Sequence, residues 1–233
     1  MKINEITNLI EEKAPLETQE EWDCSGFAID IQNKDIKKIL LCLSVTQDIV
    51  NQAINKNCDM IISHHPLFFV PFEFNKNIPI YSAHTNFDKA DGGTTDTLIE
   101  VLGFSGAQKI GDFLRIIERQ TEIQLVDFIR LLKEKLNIEN LRIVNNLDKQ
   151  KIKKIAFCAG SGIDFLGLAR ENDADIIVTG DVKYHQALES DVIIADIGHF
   201  ESERPVLKTI KYLLEKLGVE AIIADEKSPF INY

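Results

Sequence analysis

The chain has 233 residues, enough for one large domain or two small ones. Its 45% hydrophobic content predicts a globular protein, and its formal net charge of −11 argues against a nucleic-acid coat or an acidic membrane surface as partner. No apolar run approaches the roughly 20 residues that a membrane span needs, and no signal peptide is visible. The four cysteines form no C-x-x-C pair. We therefore expect a cytoplasmic protein with reduced thiols.

The first part of the chain alternates predicted helices and strands. An amphipathic helix begins at the N-terminus with Ile3, Ile6, Leu9 and Ile10 on one side. Residues 22–27 are typical of a turn anchored by Trp22. Strand, helix and strand then follow in quick succession, which favours a parallel βαβ unit. The predicted elements are strand 38–43, helix 46–55, strand 59–62, strand 78–83 and a helix that ends at Leu102.

The same alternation restarts after Gly111. It predicts helices at 126–136, 164–172 and 203–217, and strands at 141–144, 155–158, 176–179, 191–197 and 220–224. The fold class is therefore α/β, with two interlocked lobes at 1–110 and 111–233, whose mixed or mostly parallel sheets are flanked by helices. The pattern leaves open whether segment 204–233 returns to the first lobe.

All five histidines follow predicted strands, and ligands bind at the carboxyl ends of strands in open α/β sheets. His64 and His65 follow the strand at 59–62, and Pro66 restrains His65 to extended geometry. Neighbouring side chains on extended backbone point to opposite faces, so we predict that the two histidines bind different ions of a dinuclear site. A pair of surface or hydrogen-bonded histidines is the alternative for this motif alone.

A second group of candidate ligands follows the strand at 191–197. If a helix opens at His199, Glu203 lies on the same face; if Ser202 caps the helix, Glu203 lies in its first turn. Either geometry allows both side chains to reach one ion. Glu201 is the rival ligand.

Asp88 adds a carboxylate shortly after His84, although a helix or turn cap is the alternative for it. The predicted metal ligands are His64, His65, Asp88, His199 and Glu203. No thiolate belongs to this set, so two divalent ions of zinc, manganese or iron all fit, and such ions support hydrolysis.

The remaining histidines, His84 and His185, are candidates for orienting ligands or moving protons, with a structural hydrogen bond as the alternative. The glycine-containing turn at 159–162 offers backbone N–H groups to an anion, or is a plain tight turn. The charged turn at 179–185 could contact substrate.

These motifs together resemble the GTP cyclohydrolase 1 type 2 homolog family, also called the Nif-three-like proteins. The matching blocks occur in family order between residues 22 and 203: Ser63-His64-His65-Pro66-Leu67, Ala83-His84-Thr85-Asn86-Phe87-Asp88 with Gly92-Gly93, Ala159-Gly160-Ser161-Gly162, Thr179-Gly180-Asp181 with Lys183-Tyr184-His185, and Gly198-His199 with Glu203.

The resemblance implies two α/β lobes, a dinuclear metal site on the same five ligands, and a ring-shaped homohexamer with its sites facing a cavity. The family name implies opening of the purine ring of GTP by a hydroxide on metal, with His84 or His185 moving protons, and hence a nucleotide or phosphorylated small molecule as ligand. A non-enzymatic metal-binding ring that acts as a regulator or scaffold is the alternative.

The chain departs from the family pattern at two positions. Cys24 stands where Asn is expected, and Ser44 stands where many relatives carry Asp. Both departures concern loop contacts and leave the metal ligands unchanged. The interval from Gly111 to Lys153 has no room for the extra domain of longer relatives.

Overall fold

The computed structural model describes residues 1–32, 34–71, 73–74 and 77–230. The chain forms two compact units, one comprising Met1–Gly93 and Val206–Lys227, the other Thr94–Pro205 with the described residues from Ser228 onward. The last helix and strand thus belong to the first unit, which the sequence pattern left open. The first unit ends at Gly93 and not at residue 110, because the helix that follows packs against the sheet of the second unit.

The α/β fold class is confirmed, and the longer amphipathic helices lie where their periodicity predicts them. The described helices and strands follow the order α1 (Ile3–Lys13), β1 (Gly26–Ile29), β2 (Lys38–Cys42), α2 (Gln47–Asn55), β3 (Met60–Ser63), β4 (Ile80–Ser82), α3 (Thr85–Lys89), α4 (Thr94–Val101), β5 (Gln108–Ile110), β6 (Leu114–Gln124), α5 (Leu125–Leu136), β7 (Arg142–Val144), β8 (Lys151–Phe157), α6 (Leu166–Glu171), β9 (Ile176–Thr179), α7 (Tyr184–Leu188), β10 (Ile193–Asp196), α8 (His199–Glu203), α9 (Val206–Glu215) and β11 (Glu220–Ile223). Within the described ranges, no helix combines the length and apolar character required to cross a membrane.

The sheet of the first unit has the strand order β1-β4-β3-β2-β11. Its four strands β4, β3, β2 and β11 run parallel, and β1 pairs antiparallel with β4. Cys42 lies opposite Ser63, and Ser63 lies opposite Ser82. Because these residues end β2, β3 and β4 at the same level, the segments that follow them leave one end of the sheet side by side.

Helices hold these strands in a packed core. The residues of β3 are all buried. Helix α2 contributes Ile49 and Val50 to the core, and the predicted apolar stripe of α1 is buried at Ile3, Ile6 and Ile10. Helix α1 packs against α9, which contacts β2 and β11. The strand ends that carry the histidines of this unit are therefore rigidly supported.

The second unit contains a mixed sheet with the strand order β5-β6-β8-β9-β10-β7. Strands β8, β9 and β10 are parallel, whereas β6 and β7 pair antiparallel with β8 and β10. Side chains alternate between two hydrophobic cores: Val178 packs with α4 and α5, and its neighbour Ile177 packs with residues near α6. Thr179 lies opposite Asp196, so the turns after β9 and β10 also leave the sheet together.

Strand β6 was missed by sequence reasoning. Its buried half contains Arg115, which is only 1% exposed and whose Nε donates to Asp96 Oδ1 at 2.9 Å. A charged residue inside an apolar run conceals the strand pattern. The ion pair with Asp96 on α4 and the hydrogen bonds that Arg115 donates to the carbonyl oxygens of Asp112 and Leu114 offset the cost of its burial. Helices α3 and α7 have five residues each, too few for a helical period to be visible.

Candidate metal centre

Three histidines of the first unit form a cluster at the ends of β3 and β4. One ring nitrogen from each of His64, His65 and His84 lies within 4.8 Å of the others. The His64 and His65 ring centroids are 5.2 Å apart, and His84 lies 5.3 and 5.5 Å from them. The register of the parallel strands therefore brings together imidazoles from two loops, as their positions after strands predicted.

The Nδ1 atom of each ring has a polar neighbour that orients it. Nδ1 of His64 is 2.8 Å from the carbonyl oxygen of Ala83, and Nδ1 of His65 is 2.7 Å from the hydroxyl oxygen of Ser44. Nδ1 of His84 is 3.0 Å from Oδ1 of Asp23. Orientation of a ligating imidazole through its other nitrogen is typical of metal sites, and it makes Nε2 the candidate ligand atom.

Asp88 completes this group from helix α3. Its Oδ1 atom is buried, accepts no hydrogen bond from the described residues, and lies 3.4 Å from Nε2 of His64. Two ligands at about 2.1 Å from one ion, at a tetrahedral angle, stand about 3.4 Å apart. The distance between the buried Asp88 oxygen and the His64 nitrogen therefore fits two ligands of one divalent cation. A role as a helix cap alone would not explain why this buried oxygen accepts no hydrogen bond from the described residues.

Asp23 is a residue of this site that sequence reasoning missed. Its carboxylate is fully buried and receives hydrogen bonds from His84, Thr85 and Cys24. Burial alone would raise the pKa of Asp23, but the hydrogen bonds from Thr85, His84 and Cys24 and the favourable electrostatic interaction with His84 outweigh burial and lower it. Trp22 was expected to be a turn anchor, but the residue is 60% exposed; its ring centroid lies 5.9 Å from that of His84, in a T-shaped arrangement.

Ser44 is held in place by the C-terminal segment. The backbone N–H groups of Leu43 and Ser44 donate to the carboxylate of Glu226 at 2.7 and 2.9 Å. The position that departs from the family pattern therefore places a neutral hydroxyl, not a carboxylate, beside His65. The serine at position 44 therefore affects the orientation of the His65 ring, whereas Nε2 of His65 remains the candidate ligand atom.

In the second unit, helix α8 begins at His199, so the helical option holds and His199 and Glu203 share a face. His199 Nε2 is 2.9 Å from Oε2 of Glu203, and its Nδ1 is 2.7 Å from Oδ2 of Asp181. Burial alone would lower the pKa of His199, but its hydrogen bonds to the two carboxylates outweigh burial and raise it to about 9. The two carboxylates therefore favour the positively charged form of the His199 ring.

Glu203 is the buried member of this pair, and the rival Glu201 is directed elsewhere. The side chain of Glu203 is 5% exposed. Glu201 folds back over Gly198, where an added Cβ would strike its carboxylate. The geometry of the second unit therefore favours Glu203 as the partner of His199.

The turn at 159–162 is a packing element and not an anion cradle. The N–H of Gly160 donates to Ser202 Oγ and the N–H of Gly162 donates to Thr179 Oγ1, both at 2.9 Å. These two N–H groups therefore donate to side chains of the protein and are not available to an anion. Gly160 has φ 67°, and an added Cβ would overlap the Glu203 carboxylate, so glycine is required where the turn meets helix α8.

His185 is a member of neither group. It is exposed on helix α7, where its ring contacts Tyr184 with centroids 5.4 Å apart. It belongs neither to the histidine cluster of the first unit nor to the His199–Glu203 pair. Of the two predicted proton carriers, His84 has a carboxylate partner on its ring, Asp23.

The single tryptophan provides a test of the first-unit cluster. Co²⁺ bound by His64 and Asp88 would lie close to the indole of Trp22, whose ring centroid is 5.9 Å from that of His84. We expect titration with Co²⁺ to quench the tryptophan fluorescence by about half or more, and the His64→Ala variant to lose most of this saturable quenching. Equal saturable quenching in both proteins would contradict a cobalt site in this cluster.

Comparison with known proteins identifies the family of the chain. The family model Duf34/NIF3 (NGG1p interacting factor 3) matches residues 1–229. A "GTP cyclohydrolase 1 type 2 homolog" from Clostridium perfringens is 38% identical over 99% of both chains, and one from Campylobacter jejuni is 36% identical over 99% of both. The crystal structure of Staphylococcus aureus hypothetical protein SA1388 superposes with TM-score 0.91 at 28% identity, over 100% of this chain and 99% of that one. The chain therefore belongs to the Duf34/NIF3 family.

Proposed function

We propose that the chain is a metal-dependent, hydrolase-like protein that binds up to two divalent ions. The proposed ligands are His64, His65 and Asp88 of the first unit and His199 and Glu203 of the second. The buried Asp88 oxygen, unbonded within the described chain and 3.4 Å from Nε2 of His64, is the observation that carries this proposal. Imidazole and carboxylate donors without thiolate suit zinc, manganese or iron.

The chemistry expected at such a centre is hydrolysis. Bound divalent ions acidify a water molecule and neutralise negative charge that develops on the substrate. The residues of the chain add orientation and proton transfer: Asp23 holds the His84 ring, and His84 presents Nε2 to the ligand histidines. His185 is the second candidate proton carrier, and its exposure on α7 leaves it accessible to a substrate.

The substrate proposed is a purine nucleotide or a related phosphorylated small molecule. The support is the name of the relatives from Clostridium perfringens and Campylobacter jejuni, GTP cyclohydrolase 1 type 2 homolog. Ring opening would begin with attack of water at the purine C8. Incubation of the metal-loaded protein with GTP and other nucleotides, with products identified by mass, tests this reaction class. No product from any nucleotide with zinc, manganese or iron would contradict it.

His84 offers a sharper test of enzymatic function. We expect His84→Gln to retain bound metal while turnover of the nucleotide identified in that screen falls about 100- to 10,000-fold, the contribution typical of general acid–base catalysis. Steady-state rates and metal content measured on the same samples separate the two effects. Full turnover in the variant would remove His84 from the mechanism.

A non-enzymatic metal-binding protein is the second candidate. The family description, NGG1p interacting factor 3, names an interaction and not a reaction, which supports a regulator or scaffold. A variant with both Asp88→Ala and Glu203→Ala distinguishes the two functions in cells. Loss of function in this variant with retained assembly supports the enzyme, whereas unchanged function supports the scaffold.

We also propose a homohexameric ring, on the strength of the family resemblance. With a chain of 26.4 kDa, sedimentation equilibrium at micromolar concentration should give a mass close to six chains. The metal-free protein serves as the control, since assembly through protein surfaces should survive chelation. A mass near that of one chain would remove the ring from the proposal.

A further inference from the structure

Both oxygens of the Asp23 carboxylate have hydrogen-bond partners. Oδ1 accepts the N–H of Cys24 at 2.7 Å and lies 3.0 Å from Nδ1 of His84. Oδ2 accepts the hydroxyl of Ser25 at 3.1 Å, the N–H of Thr85 at 3.0 Å, and the Thr85 hydroxyl as well. The side chain is 0% exposed. These hydrogen bonds restrain the position of the buried Asp23 carboxylate within the loop.

The chemistry of an ionised carboxylate determines the state of His84. A carboxylate can only accept hydrogen bonds, so a ring nitrogen beside it must carry the proton. Opposite an ionised Asp23, His84 must therefore carry a proton on Nδ1, and in the neutral ring Nε2 is then the acceptor. His84 is itself largely buried, with 16% of its side chain exposed, and its ring stands 5.3 Å from His64 and 5.5 Å from His65.

The loop around Asp23 is anchored to the same segment that carries His84. The N–H of Glu20 donates to Thr85 Oγ1 at 2.9 Å, and the N–H of His84 lies 3.1 Å from Ser25 Oγ. These bonds flank Asp23 on both sides and tie the loop before β1 to the start of α3. The carboxylate and the imidazole therefore keep a fixed mutual position.

We propose that Asp23 is a positioning residue that holds His84 in the tautomer with its proton on Nδ1, so that Nε2 faces the ligand histidines as a hydrogen-bond acceptor. The use of that acceptor in turnover rests on the proposed function. The tautomer itself does not, because it is a property of the metal-free chain. The competing view is that Asp23 only caps helix α3 through the N–H of Thr85.

The tautomer of the metal-free wild-type protein is the first measurement. Long-range ¹H–¹⁵N spectra of the imidazole rings report which nitrogen carries the proton, and the absence of one ring in His84→Gln assigns the signals. We expect His84 to be protonated on Nδ1 alone near neutral pH. A proton on Nε2 with an unprotonated Nδ1 would overturn the proposal, and this measurement needs no folded variant at Asp23.

The Asp23→Asn variant is the second measurement. An amide cannot accept all the donors that surround the carboxylate, so we expect the Nδ1–H to Nε2–H ratio of His84 to fall about tenfold or more. Thr85→Val is the matched control: it removes a hydroxyl donor to the same carboxylate but leaves its contact with His84. A helix cap alone predicts an unchanged ratio in Asp23→Asn, which would reject the positioning role.

The two measurements also separate this inference from the proposed function. If the tautomer is as expected but no nucleotide is hydrolysed, the hydrolase proposal fails and the role of Asp23 stands. If a nucleotide is hydrolysed but His84 carries its proton on Nε2, the hydrolase proposal stands and the role of Asp23 is rejected.

Discussion

In the His64→Ala variant, we expect the metal content to fall from two divalent ions per chain toward one, with the remaining ion bound at near wild-type affinity. His64 pairs with Asp88 across 3.4 Å, and the neighbouring His65 is oriented by a different residue, Ser44. If His64 and His65 bind different ions, removing one imidazole weakens one ion and spares the other. Isothermal titration with Zn²⁺ or Mn²⁺, checked by elemental analysis, gives both stoichiometry and affinity.

Asp88→Ala sharpens this experiment. If Asp88 and His64 bind the same ion, the variant with both His64→Ala and Asp88→Ala should lose little more affinity for that ion than either single variant. The reason is that the effects of substitutions at interacting residues do not add. A residue that only orients a ligand costs about 10–100-fold in affinity and leaves the stoichiometry unchanged. His185→Ala, exposed on α7, is the control with unchanged metal content. Two tightly bound ions in both His64→Ala and Asp88→Ala would refute these ligands.

The Gly160→Ala variant should lose both stability and the proposed metal binding by His199 and Glu203. Gly160 has φ 67°, a conformation that costs a residue with a side chain about 1–2 kcal/mol. Its new Cβ would also overlap the carboxylate of Glu203 and lie 3.6 Å from Nε2 of His199. Since Glu203 is buried, its side chain cannot move away without breaking the contact with His199.

Gly106→Ala is a matched control for this effect. Gly106 has φ 74° in the same unit, and an added Cβ would meet nothing within 4 Å. Urea unfolding should show a loss of about 1–2 kcal/mol in the control and a larger loss in Gly160→Ala. Only Gly160→Ala should also reduce metal content. Equal stability and equal metal content in the two variants would mean that the turn at 159–162 does not support Glu203.

Local pattern predicted most of the fold and the positions of the candidate ligands. Short apolar runs identified β2, β3, β9 and β10, and the helical period identified α1, α2, α5 and α9. Because parallel strands place their carboxyl ends on one side of a sheet, histidines that follow strands could be expected to meet. His64, His65 and His84 do so in the first unit. Their roles in binding metal remain a prediction.

The partners that orient these rings came only from the tertiary structure. Asp23 lies 61 residues from His84, Ser44 lies 21 from His65, and Asp181 lies 18 from His199. No periodicity links residues at such separations, since each pair forms only when two loops leave neighbouring strands at the same level. The sequence therefore determined which imidazoles are presented at the strand ends. The strand register alone decided which acceptor each imidazole meets, because hydrogen bonds depend on distances that only the packed sheet defines.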